Sequence, residues 1–247
     1  MSKEIKVKFV IFPLFLTLFW NIFPSALGVD DKDVLSGQEI NGKSREQWAQ
    51  AYWQWLMTLP PEAEKEPANS NLKNCIAGSD SNNTMIFLHQ IYGFEYSTKC
   101  EIPSGKPILV PLLISECDPT VPEKEAKSGK IEDLWKCAKD ANEVFQSWSV
   151  ILDNRTLFEK QGSTEVNMPL KNEILVRNSS LFTINVPENN YFDIEPGSYP
   201  AVVDGYYLVL KPLAPGEHSL TYTIVHNKAT PPFETTSGKG NYLLTVR

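Results

Sequence analysis

The sequence is poor in the residues that most metal proteins and many enzymes rely on. It has three histidines, His89, His218 and His226, and four cysteines, none in a C-x-x-C pair. A Cys/His cluster has few donors, and the gaps between Cys75, Cys100, Cys117 and Cys137 match no common zinc spacing. There is no glycine-rich phosphate loop and no dinucleotide fingerprint. No metal and no cofactor is therefore expected. Basic charge is also short. Lys and Arg number 23 against 30 Asp and Glu, a net charge of −7, which argues against nucleic acid as a partner. Only 13 glycines and no internal repeat exclude collagen-like chains, and 42% hydrophobic residues exclude full-length disorder. Beyond residue 28 no stretch is apolar enough to span a bilayer.

The N-terminus carries a targeting signature. Lys3, Lys6 and Lys8 precede an apolar stretch from Phe9 to Phe23, interrupted by Pro13, Thr17 and Asn21. Pro24-Ser25-Ala26-Leu27-Gly28 follows, with small residues where signal peptidase requires them. Residues 1–28 read as a secretory signal peptide, with a retained membrane anchor as the alternative because the run is nearly long enough to span. In the exported chain, four cysteines read as two disulfides. Three connectivities are open. Cys75–Cys100 with Cys117–Cys137 is favoured because it closes the shortest loops, each worth about 3 kcal/mol in the chain-entropy model. Cys100 and Cys117 are held apart by the strand between them. Asn82, Asn154 and Asn178 head glycosylation sequons.

Residues 29–41 are acidic and polar and read as a flexible lead-in. Ser44-Arg45-Glu46-Gln47 has the form of a capping box, and Trp48, Tyr52, Trp55 and Leu59 recur at helical spacing until Pro60-Pro61. Residues 60–74 read as a loop. Met85–Leu88 and Ile108–Ile114 are strand-like, with Pro111 marking an edge or a bulge. A second helix is expected between Ser128 and Phe145. From Trp148 onward period-two alternation dominates, at 148–152, 182–186, 220–224 and 242–246, separated by Gly/Pro turns. The pattern predicts one mainly β domain over 42–247: an antiparallel β-sandwich with two accessory α-helices on its edge or end.

Several strings resemble a family of uncharacterised secreted microbial proteins. They are Gly42-Lys43-Ser44, Trp48, Tyr52-Trp53-Gln54-Trp55 and Pro60; Cys75; Phe87-Leu88; Cys100-Glu101-Ile102-Pro103-Ser104-Gly105-Lys106; and the run 108–114. Near the C-terminus, Asp204-Gly205-Tyr206-Tyr207, Pro212-Leu213-Ala214-Pro215-Gly216-Glu217-His218 and Tyr242–Val246 continue the likeness. The chain departs from that family at Ser81–Ile86, where the family has Gln-x-Gly-Pro-Val-Trp, and at Lys99, where it has Arg. The resemblance implies export and a shared fold, and no catalytic residue.

Three constellations are candidate sites. The rings of Trp48, Tyr52, Trp53 and Trp55 suit a helix docked on a sheet, and Trp53, off the main stripe, is the one expected to be accessible to a ligand. Ser198, Asp204 and His218 stand in triad order, but Ser198 lacks a nucleophile elbow. The pairs Glu116/Asp118 and Asp193/Glu195 carry the acids a glycosidase or a calcium site would use, although such acids are usually solvated.

These readings converge on a secreted, disulfide-bonded protein that is non-catalytic and binds an extracellular ligand, a glycan among the candidates, or associates with a cell surface. The alternatives are a secreted hydrolase of polysaccharide or peptide, and a membrane-anchored component of the cell envelope. After signal cleavage no membrane attachment is expected. Mass spectrometry of exported protein should find Val29 at the N-terminus; intact Met1 in a membrane fraction would favour the anchor instead.

Overall fold

The computed structural model describes residues 33–35, 37, 39–63, 72–73, 75–89, 96–122, 124–143, 145–161, 164–166, 171–226 and 237–247. The signal segment 1–28 and most of the loop 60–74 lie outside the described residues. A two-strand ribbon, β1 (Glu39–Ile40) and β2 (Lys43–Ser44), leads into α1 (Arg45–Met57). One sheet has the spatial order β11 (Leu175–Val176), β13 (Gly197–Leu210), β7 (Ile108–Cys117), β5 (Ile86–Leu88) and β4 (Ala77–Ser79). β12 (Phe182–Val186) joins it by pairing with the start of β13. The facing sheet runs β10 (Thr164–Val166), β9 (Arg155–Gln161), β8 (Phe145–Leu152), β14 (Gly216–His226), β15 (Ser237–Val246), β6 (Tyr96–Ile102) and β3 (Leu72–Lys73). Two further α-helices, α2 (Ile131–Glu143) and the one-turn α3 (Lys171–Ile174), and a 3-10 turn at Glu125–Ser128 complete the described elements.

The fold is mainly β with two sheets and two substantial helices, as the alternation predicts. Most neighbouring strands are antiparallel, but β5–β7, β15–β6 and β3–β6 are parallel, so both sheets are mixed. The crossover explains the first case. The chain leaves β5, runs β6 in the opposite sheet, and returns for β7. A strand regained by a crossover lies parallel to the one it left.

The six-strand sheet is the middle of three layers. Along β13, Tyr206, Leu208 and Leu210 enter the core between the sheets. Val203, Tyr207 and Val209 point the other way, onto α1. Period-two alternation thus buries both faces, which is why β7 and β13 read as nearly continuous apolar runs. α1 covers the outer face of this sheet rather than an edge or end. Trp48, Tyr52 and Leu56 seat on Phe87, Leu109 and Tyr207, and the Trp48 indole N–H donates to the Ile40 carbonyl at 2.7 Å. Its capping box is complete: Ser44 Oγ accepts from the Gln47 N–H, and Gln47 Oε1 accepts from the Ser44 N–H. α2 closes one end of the sandwich through Leu134 and Ala138 on Val202.

The other face of α1 does a second job. Glu46, Gln50 and Gln54 recur every four residues and run beside β12. The Gln54 amide donates to Asn185 O at 2.8 Å and accepts from the Asn185 N–H at 2.9 Å. Glu46 Oε1 accepts from the Ser180 N–H at 2.9 Å. A polar stripe on a helix thereby takes the place of a neighbouring strand along an edge that would otherwise be open.

Disulfides join Cys75 to Cys100 and Cys117 to Cys137, the pairing favoured from loop length. The first links the segment feeding β4 to the opposite sheet; the second holds α2 to the end of β7. The expectation of a flexible lead-in over 29–41 does not hold for its described residues. Val34 is buried and bridges Leu210, and the Leu35 N–H donates to Val209 O at 2.8 Å. An apolar Val-Leu pair inside an acidic stretch was enough to dock it.

The bulge signalled by Pro111 lies between the pairs Gly205–Ile114 and Tyr207–Pro111, where the β7–β13 register shifts. Gly205 has φ +131°, and a methyl placed on it would lie 2.1 Å from Leu113 O. Gly216 has φ +140° with open space around it. Gly205→Ala should therefore cost about 2–4 kcal/mol in denaturant unfolding, and Gly216→Ala about 1 kcal/mol. Equal losses would mean the close approach is unimportant.

Candidate functional site

A cleft of about 290 Å³ lies between α1 and the edge strand β4, lined by Lys43, Gln54, Trp55, Ser79, Asp80 and Ser81 among others. Trp55 stands in the last turn of α1. Its ring packs on Tyr52 and Phe87, with centroids 5.5 and 5.6 Å away. The indole crosses Gly78 so closely that a methyl there would sit 2.1 Å from Nε1. Gly78 therefore admits Trp55, and together they shape the floor. Trp55 is the only one of the three α1 tryptophans that is not fully buried.

Asp80 builds the rim. Its carboxylate accepts from the backbone N–H groups of Thr84 (2.7 Å), Met85 (2.9 Å) and Asn82 (3.2 Å) and from the Thr84 hydroxyl. Burial pushes its pKa up, but these donors more than offset that and hold it below the ordinary carboxylate value. Lys43 sits 3.7 Å from Asp80 and 4.2 Å above the Trp48 ring. The carboxylate is thus committed to shaping the turn. Ser79 Oγ, Ser81 Oγ and Trp55 Nε1 make no hydrogen bond among the described residues.

Trp53, expected to be the accessible ring, is buried instead. Its N–H donates to Tyr207 Oη at 2.8 Å, and Phe192 stacks on it at 6.2 Å. The cause is the loop after β12. Asn190 donates to Pro187 O and Ile194 O and accepts from the Ile194 N–H, folding Phe192 over α1. Periodicity placed Trp55 near the centre of the buried stripe. It stays reachable because the sheet ends at β4, beneath it. The glycine at position 78 is the only trace of this in the sequence.

The triad candidates are scattered. Ser198 donates to Asn185 Oδ1, and Asp204 accepts from Asn142 with Arg177 at 3.9 Å. His218 uses both ring nitrogens, one with Asp153 at 2.7 Å and one with Ala214 O at 2.9 Å. Burial lowers its pKa, but those two acceptors raise it further, so the net shift is upward. It pins the β8–β9 turn to β14. Asp193 and Glu195 are exposed, as are Asn82, Asn154 and Asn178 at the sequons. Among the described residues no group of three or more His, Cys, Asp or Glu can hold a metal ion, and no helix is long and apolar enough to cross a membrane.

Glu116 and Asp118 are buried rather than solvated, at the end of β7. Asp118 Oδ1 accepts from the Thr120 N–H, while Asp118 Oδ2 and Glu116 Oε1 make no hydrogen bond among the described residues. Burial, and then the charge of Asp118, push the Glu116 carboxyl well above its ordinary value. A raised folded pKa means the native state binds the proton more tightly than the unfolded chain. Stability from this group is then greatest at low pH and falls as pH rises above the unfolded value of about 4.5. Glu116→Gln should raise the melting temperature at pH 7 and leave it nearly unchanged near pH 4. A loss of stability at pH 7 would mean the carboxylate has a compensating partner.

No protein-family model and no curated protein matches the chain. A structure of PbICP-C in complex with falcipain-2 is similar over 66% of this chain and 99% of that one, at 11% identity and a TM-score of 0.26. The solution structure of amebosin is similar over 63% of this chain and 99% of its own, at 11% identity and a TM-score of 0.20. At such scores neither likeness bears on fold or activity.

Proposed function

We propose that this is an exported, non-catalytic binding protein whose ligand seats against Trp55 in the cleft between α1 and β4. One observation carries the reading: the unused indole. Trp48 and Trp53 give their N–H groups to Ile40 O and Tyr207 Oη, whereas the Trp55 N–H has no acceptor among the described residues and its half-buried ring lines a cleft. Aromatic rings with one polar handle are common anchors of recognition because they offer contact area at little entropic cost. Two disulfides and the signal-like N-terminus support an oxidising, extracellular setting. The hydrolase alternative has less support at this cleft, since the carboxylate on its rim is already bound by four donors.

The test separates folding from recognition. Trp48→Ala should cost about 3–5 kcal/mol, as for other buried aromatics. Trp55→Ala should cost clearly less and leave the circular dichroism spectrum unchanged. Immobilised protein is screened against a random-peptide display library and an array of purified glycans. Binders from either source should lose at least about tenfold in affinity on Trp55→Ala. Binders indifferent to that change, or no binder from either source, would overturn the reading.

A further inference from the structure

The edge strand beneath Trp55 carries information about the class of ligand. In the β4–β5 pair the inward hydrogen bonds belong to alternate residues. Ile76 O accepts from the His89 N–H at 3.0 Å, and the Asp80 N–H donates to Met85 O at 3.4 Å, with Gly78 opposite Phe87 between them. The alternation of an antiparallel ladder then turns the N–H and C=O of Ala77 and Ser79 outward. These four groups have no hydrogen-bond partner among the described residues, and β4 is the last strand of its sheet.

We infer that the ligand is an extended polypeptide segment that adds to β4 as a further strand and places one side chain in the cleft beside Trp55. The inference rests on the reading of that cleft as the binding site. The outward row alternates donor and acceptor, partial positive and partial negative charge, and its complement is another extended backbone. The register decides where side chains go. Gly78 and Phe87 face α1, as Phe87's place in the α1 core shows. Ile86 and Leu88, opposite Ser79 and Ala77, face the core between the sheets. Residues opposite one another across a ladder share a face. A ligand residue opposite Gly78 therefore points to the side of the sheet where Trp55 lies.

Size supports the same assignment. Pockets that enclose whole small molecules run from roughly 300 to 1,000 Å³. At about 290 Å³ this cleft is at the lower end of that range and is lined on one side by the edge strand. It suits one bulky side chain whose backbone stays outside, on β4. The Trp55 N–H can serve a polar atom on that side chain. Elsewhere in the same sheet, the edge of β12 is covered by Gln54 at Asn185, with Gln50 and Glu46 on Ser180 just before it, and the end of β13 by residues 33–35. The β4 edge has neither kind of cover among the described residues.

The experiment uses the full exported chain and a heptapeptide selected from the random-peptide library. Each backbone N–H of the peptide is methylated in turn. Strand addition predicts losses of about tenfold or more at every second residue and little effect between. Ser79→Pro, which removes one outward donor and leaves the β4–β5 hydrogen bonds in place, should weaken the same peptide. Because the methyl scan alters only the ligand, it remains decisive if that variant folds poorly. If binding depends on Trp55 but no residue is sensitive to N-methylation, or if only glycans bind and do so through Trp55, strand addition is wrong and the cleft reading survives. If binding ignores Trp55 as well, both fall.

Discussion

The pairing of β13 with β7 is the interaction on which the other elements depend. These two strands form the centre of the middle layer, and nearly all of their residues are buried. The facing sheet packs on one side of them and α1 on the other; α2 packs on their end, and β11, β12 and Val34 pair along β13. A one-residue slip would exchange the two faces of β13 and put α1's partners into the sandwich core. The bulge at Gly205 fixes the register, since the backbone of Leu113 comes too close there for any side chain.

A middle layer buried on both faces makes its edges the exposed part of the sheet. The chain handles them in different ways. β12 and its approach at Ser180 are shielded by side-chain amides and a carboxylate spaced every four residues on a helix, a device that needs α1 to run alongside. Beyond β4, by contrast, the helix presents an indole over a glycine, and the outward backbone groups of Ala77 and Ser79 have no partner among the described residues. The same helix that closes one edge therefore frames the other, and the difference lies in which face of α1 meets which strand.

Much of this was legible in the sequence, for identifiable reasons. The capping box, the Pro60-Pro61 stop and the amphipathic period of α2 are local signals, and the helices follow them closely. Period-two alternation revealed β8, β12, β14 and β15 because each has one face in solvent. β13 was largely missed because it has no solvent face over most of its length, so its apolar residues do not alternate. The parallel pairs were missed because a crossover is a property of two sheets together. The exchange of roles between Trp53 and Trp55 depended on the loop that Asn190 organises and on where the sheet ends, and neither is encoded on the helix itself. Glu116 looked like an ordinary surface acid next to a cysteine. It is buried because it lies in the paired part of β7, opposite Val203 of β13 and on the other face from Ser115 and Cys117, which meet α2.

Asn82 lies two residues beyond Asp80, whose carboxylate accepts from the Asn82 N–H at the rim of the Trp55 cleft. An oligosaccharide attached there would stand next to the mouth of the cleft and the open edge of β4. Chain made in a host that glycosylates this sequon and chain made in one that does not would then share a fold and differ in how far the edge is shielded. The choice of expression host becomes part of the specification of the molecule, and material from a glycosylating host would need enzymatic trimming before its surface could be compared with that of the bare polypeptide.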